Sequence, residues 1–193
     1  MRFAYLTSSL VAISFLVGCA NTAPQTVSET QKLQDHAQAA LNRMTSEDPS
    51  LQSMLDNSRG YAIYPGVGKG GAIVGGAYGK GVVYEQGRQV GFTDLTQASI
   101  GAQLGGQKFA ELIVFKDQAA LDRFRAEKLE FAANATAVAA KAGAGEAAKF
   151  TEGVAIFVKP EAGLMAEASV GGQKFTYQTN DQAAAAQTAA SKQ

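Results

Sequence analysis

Gly66-Val67-Gly68-Lys69-Gly70-Gly71-Ala72-Ile73-Val74-Gly75-Gly76-Ala77-Tyr78-Gly79-Lys80-Gly81 packs eight glycines and two lysines into sixteen residues. A phosphate loop, a dinucleotide fingerprint and a glycine-dependent sheet would all be written in these letters. The first six residues satisfy G-x-G-x-x-G, but that pattern needs a helix directly after it. The next five residues, Ala72-Ile73-Val74-Gly75-Gly76, are β-branched and broken by glycine, which is poor helix material. The Walker pattern also fails. Ile63 and Val74 stand where its first glycine belongs, and neither Lys69 nor Lys80 precedes Ser or Thr. Two roles remain for the stretch. Its glycines permit positive φ in turns and close approach of strands. Its lysines, with Arg59 nearby, suit the phosphates of lipid head groups, each exposed lysine contributing on the order of 1 kcal/mol against an anionic surface.

Outward from this stretch the period is two. Tyr61–Tyr64, Ala72–Val74, Val82–Tyr84 and Gln89–Phe92 are strand-like runs separated by glycines, and Ala98–Gly106 and Leu112–Phe115 continue them. Asp117–Phe131 predicts an inserted helix with Leu121, Phe124 and Phe131 on one side, and its acids Asp117, Asp122, Glu127 and Glu130 offset Arg123, Arg125 and Lys128. Strands resume at Val154–Val158, Leu164–Val170 and Phe175–Tyr177. Upstream, Ser28 with Gln31 fits a capping box ahead of the stripe Leu33, Ala37, Ala40, Leu41 and Met44. Asp48-Pro49 marks a second helix start, and Gly60 is placed to end it. GGQKF occurs at Gly105–Phe109 and Gly171–Phe175, setting Lys108 and Lys174 at strand edges, where lysine discourages sheet-to-sheet pairing. Helices, then strands, then a helix, then strands, without strict alternation, predict an α+β fold. Its sheet should be largely antiparallel, glycine-rich and curved or barrel-like.

The ends of the chain narrow the function classes. Arg2 precedes an apolar run from Leu10 to Val17, too short to span a bilayer, and Leu16-Val17-Gly18-Cys19 closes it. This resembles the lipobox of bacterial lipoproteins. The resemblance implies a signal peptide at 1–18, acylation of Cys19 with palmitate-type chains and, because Ala20 follows the cysteine, the outer membrane. Residues 19–27 then read as a lipidated tether, 28–180 as one domain and 181–193 as a polar tail. Seventeen basic and seventeen acidic side chains leave no global field for nucleic acid. One histidine, His36, and one cysteine leave no zinc cluster and no Cys–His nucleophile, so neither metal nor cofactor nor catalysis is expected. A hydrolase with paired carboxylates would need a deep pocket holding two close Asp or Glu side chains.

SRGYAIYPGVGKGGAIVGGAYGKGVV, GFTDLTQASIGAQLGGQKFAELIVF, the helix with LDRF and EGVAIFVKPEAGLMAEASVGG together resemble the SYLF domain family, over roughly Leu51 to Tyr177. Two turns depart from the family pattern: Gly91–Leu95, where a tryptophan is common, and Ala140–Gly145, where a Gly-Pro-Gly-type turn often follows the long helix. Eukaryotic members bind membranes, notably phosphoinositides, and some are linked to actin; bacterial members are envelope proteins. For a bacterial lipoprotein the resemblance implies affinity for anionic or phosphorylated lipid. The expected protein is an outer-membrane lipoprotein, facing periplasm or cell surface, whose non-catalytic domain binds membrane phospholipid through Arg59, Lys69, Lys80 and Lys108. The alternative is an envelope interaction protein whose partner is another protein or a cell-wall polymer, which a patch of exposed apolar side chains would favour.

Overall fold

The computed structural model of the chain describes residues 22–132, 137–139, 141 and 143–191, and their side chains outside 102–103, 130–139 and 164–171. The signal peptide and Cys19 lie outside the described residues.

The first helix, α1 (Val27–Glu47), is capped by Thr26 and Glu29 in a capping box, two residues earlier than the sequence suggested. Ala37, Ala40, Leu41 and Met44 form its buried stripe. Asp48 caps α2 (Pro49–Asp56) with proline in the first turn, as expected. The helix ends at Asn57, so Gly60 opens β1 (Gly60–Gly71) instead of closing the helix. Next come β2 (Val74–Glu85) and β3 (Arg88–Phe115), and then α3 (Gln118–Arg125). That helix is shorter than its charge and apolar pattern implied. The chain leaves it at Ala126, takes a left-handed turn at Glu127 (φ 56°) and pairs as β4 (Glu130–Ala132). Beyond lie β5 (Ala137–Ala139), α4 (Ala144–Ala147), β6 (Val154–Thr179) and α5 (Asn180–Ala190).

Six strands make one open sheet, antiparallel except where β5 runs parallel to β6. A long β3–β6 ribbon runs from the pair Gly91–Thr179 to the pair Phe115–Val154. Its two halves are bridged by the β1–β2 hairpin, because β2 pairs with the first half of β3 and β1 with the second. The sheet therefore curls. Tyr64 on β1 reaches Thr93 on β3 (2.8 Å between hydroxyl oxygens), and Glu111 accepts from Gln173 on β6. Gly81 permits one such approach, since a Cβ there would lie 2.7 Å from the Tyr64 ring.

Strand alternation splits the core in two. Ile63, Val82, Phe92, Leu112 and Phe157 meet α1 and α2 on the outer face. Tyr64, Leu95, Ile113, Phe115 and Phe175 fill the inner face, closed by Leu121 and Phe124 of α3. Both ends of the described chain join the outer layer. Ala23 is buried, its N–H donates to Gln178, and Gln187 of α5 donates to the Pro24 carbonyl and to Thr30.

Candidate functional site

The helices cover the outer face only where β1 and β2 begin and end; toward the β1–β2 turn that face is open. Register then fixes the groups displayed there, row by row. Farthest from the helices, Ala72 and Ile73 make the turn, in place of the strand expected at Ala72–Val74, and Val74 pairs with Ile100. The next row is Gly106, Gly70, Gly76, Ala98 and Gly172 across five strand positions. Then come Lys108, Gly68, Tyr78, Thr96 and Lys174 in one line. Behind them stand Lys80, Asp94 and Thr176.

The glycines of the open face are not there for want of space. A Cβ on Gly68 would meet nothing within 4 Å, and those on Gly70, Gly76 and Gly106 would come no nearer than 3.6, 3.5 and 3.6 Å to any atom. None of the four takes a positive φ. Their effect is to leave a strip of sheet at the surface that is bare of side chains except for Ala98. The hairpin from Gly66 to Tyr84 and the facing stretch Leu95–Ala110 carry Lys69, Lys80 and Lys108 and no carboxylate.

Where α1 meets this face there is a groove of about 810 Å³. His36 and Arg43 line it from the helix, and Lys80, Lys108, Lys159 and Glu161 from the sheet. Its cations are tethered. Lys80 Nζ donates to Asp94 Oδ1 (3.2 Å) and to the Thr22 carbonyl (3.1 Å). Arg43 and Lys108 share Glu161 at 2.6 and 3.5 Å, and Lys159 meets Glu47 at 2.5 Å. Burial pushes the Asp94 carboxyl up, an effect that Lys80 opposes.

Of the residues singled out in the sequence, Lys80 and Lys108 converge on this groove. Arg59 is placed at the other end of the sheet, where it and Arg125 each contact Glu85 at 2.6 Å. Those guanidiniums, Arg125 first, hold the Glu85 carboxyl below its usual range. Lys69 lies on the inner face, only 8% exposed, in a row with Gln107, Ala77, Gln97 and Gln173. It stands near Glu111, whose carboxyl burial pushes up to about 7 against the opposing effects of Gln173 and Lys69. Glu111 and Asp94 are both buried carboxylates, but they face opposite sides of the sheet, Asp94 with Lys80 and Glu111 with Gln173. His36 is exposed on α1. Lys174, Arg43 and Lys159 were not singled out for the site. Alternation from Phe175 puts Lys174 outward, whereas Arg43 and Lys159 come from segments that only the fold brings together.

Residues 96–189 match the family model Ysc84, described as Las17-binding protein actin regulator. Beta cell expansion factor A of Aeromonas veronii is 30% identical over 156 residues, covering 79% of this chain and 59% of that protein. The chain thus spans less than two thirds of the length of this relative.

Proposed function

Because the chain belongs over residues 96–189 to the Ysc84 family, the SYLF domain, we propose that it is an envelope lipoprotein whose domain binds anionic phospholipid without catalysis. The observation that carries this reading is the open sheet face: a glycine strip bounded by Lys108, Lys174 and Lys80, on strands free of carboxylates from Gly66 to Tyr84. Bare backbone lets a head-group layer approach, and the lysines supply a charge that low salt strengthens. An acyl anchor at Cys19 on the outer membrane supplies the second signal that stable attachment needs. Thr22 and Ala23 sit against β6 and Lys80, so only a few residues separate the acyl chains from the lysine face. An actin-regulating role would require a cytoskeletal partner on the domain's side of the membrane; the anchor proposed here faces away from one.

The test uses the chain from Ala20 onward, which keeps every described residue, including Thr22 and Ala23. Co-sedimentation with vesicles of graded anionic content should rise with that content and fall with salt. Absence of binding at any composition would remove the reading. Aliphatic side chains exposed at the sheet tip favour a second reading, a protein partner in the envelope.

A further inference from the structure

Ile73, Val74, Ile100 and Leu104 are 74, 69, 60 and 73% exposed, and all four sit at the end of the sheet farthest from the helices. Val74 pairs with Ile100, the Ile73 carbonyl accepts from Gly101 N–H (2.9 Å), and Leu104 adjoins the pair Gly71–Gly105. They form one aliphatic tip. Resting on the phospholipid reading above, we propose that this tip is a wedge that enters the acyl region of a bilayer while the Lys108–Tyr78–Lys174 row stays at the head groups.

Three features favour lipid over a protein partner. The first is layering along the strand axis. Tyr78 lies four residues behind Val74, roughly 13 Å at strand rise, with Lys108 and Lys174 in its row. Lys80 Nζ stands 5.9 Å from the Tyr78 ring. An apolar end, a strip bare of side chains except Ala98, then an aromatic in a row with two lysines matches the polarity profile of a bilayer surface, where tyrosine and lysine settle at the head groups. Second, two backbone donors at the turn are already paired. Ala72 N–H donates to the Val74 carbonyl (3.3 Å) and Gly101 N–H to Ile73, so entry into a low-dielectric layer does not strand these donors. Third, the β1–β2 hairpin from Gly66 to Tyr84 and the facing stretch of β3 from Leu95 to Ala110 carry lysine and no carboxylate, which suits an anionic lipid surface. The one acid at this end of the ladder is Glu167 of β6, opposite Gln103.

The chain has no tryptophan, so a single one placed at the tip is a unique reporter. Ile73→Trp and, independently, Leu104→Trp are made in the chain from Ala20 onward, with Val27→Trp, 77% exposed on α1, as reference. Each is mixed with anionic phosphatidylglycerol vesicles whose acyl chains are brominated. The wedge predicts blue-shifted emission and quenching for both tip reporters and neither for Val27→Trp. Ile73→Ser with Leu104→Ser should weaken vesicle binding roughly tenfold or more. Binding that persists with unquenched tip reporters would overturn the wedge and leave head-group binding standing. Absence of vesicle binding by the unsubstituted chain would overturn both. A tip tryptophan already blue-shifted without vesicles, in a chain that self-associates, would overturn the wedge in favour of a protein–protein interface.

Discussion

Lys80 and Asp94 face each other across β2 and β3, Nζ 3.2 Å from Oδ1, and the same ammonium holds the Thr22 carbonyl. One lysine therefore joins the sheet to the segment that leads toward Cys19. Asp94 is only 4% exposed, so removing its cation leaves a buried carboxylate poorly compensated. With solvent access to Lys80 taken into account, Lys80→Ala should cost about 1–3 kcal/mol in urea unfolding. Adding Asp94→Asn should recover part of the loss. For this reason loss of lipid binding in a Lys80 variant would not by itself locate the binding face.

Glu111 makes the fold sensitive to pH. Its carboxyl titrates near 7 in the fold, above the ordinary range, because burial disfavours the charged form. The folded state then holds a proton that the unfolded chain releases. This contribution is complete below the unfolded pKa and is lost as pH rises toward and through 7. Glu111→Gln should therefore gain on the unsubstituted chain by about 3 kcal/mol between pH 4.5 and 8. Urea midpoints across that range check the sign. Asp48 and Glu85 act oppositely, with carboxyls held low and stability lost as pH falls, and the difference between the two chains cancels them.

Asp48 ties α2 to the segment after β5. Its carboxylate accepts from Ser50 N–H and Oγ, from Gly143 N–H and from Gly145 N–H at 2.7 Å. Burial works to raise its carboxyl and these hydrogen bonds outweigh it. Asp48→Ala removes a helix cap and strands two loop donors, an expected loss of about 2–3 kcal/mol in thermal or urea unfolding.

Two glycines of the Gly66–Gly81 stretch should behave in opposite ways. Gly81→Ala drives a methyl against the Tyr64 ring and the Ile63 carbonyl, for a cost of about 1–3 kcal/mol. Gly68→Ala enters open space on an ordinary strand backbone and should be neutral or slightly stabilising, within about 0.5–1 kcal/mol. Paired unfolding curves separate a glycine the fold requires from one that shapes a surface.

The α+β class and the curl of the sheet were legible because glycine-broken, β-branched runs exclude a helix after Gly71. Asp48-Pro49 located its helix for an equally local reason. The lengths of β3 and β6 were not legible. Gly101, Gly105, Gly171 and Gly172 look like breaks, yet each keeps its partner in the long ladder. Ile73-Val74 looked like a strand core, since hydrophobicity alone does not tell a buried run from an exposed tip. Lys69 could have been assigned inward from its alternation with Val67. The neighbours of Lys108 could not be read at all, because Arg43 and Glu161 reach it from 65 and 53 residues away.

The most direct test of the lysine face is charge reversal on its exposed side chains. Lys108→Glu with Lys174→Glu should lower affinity for anionic vesicles about tenfold or more at low salt and flatten the salt dependence. Arg88→Glu, at the opposite end of the sheet, should change it less than about twofold. Equal losses in the two chains, or none in the first, would contradict the assignment of phospholipid to this face.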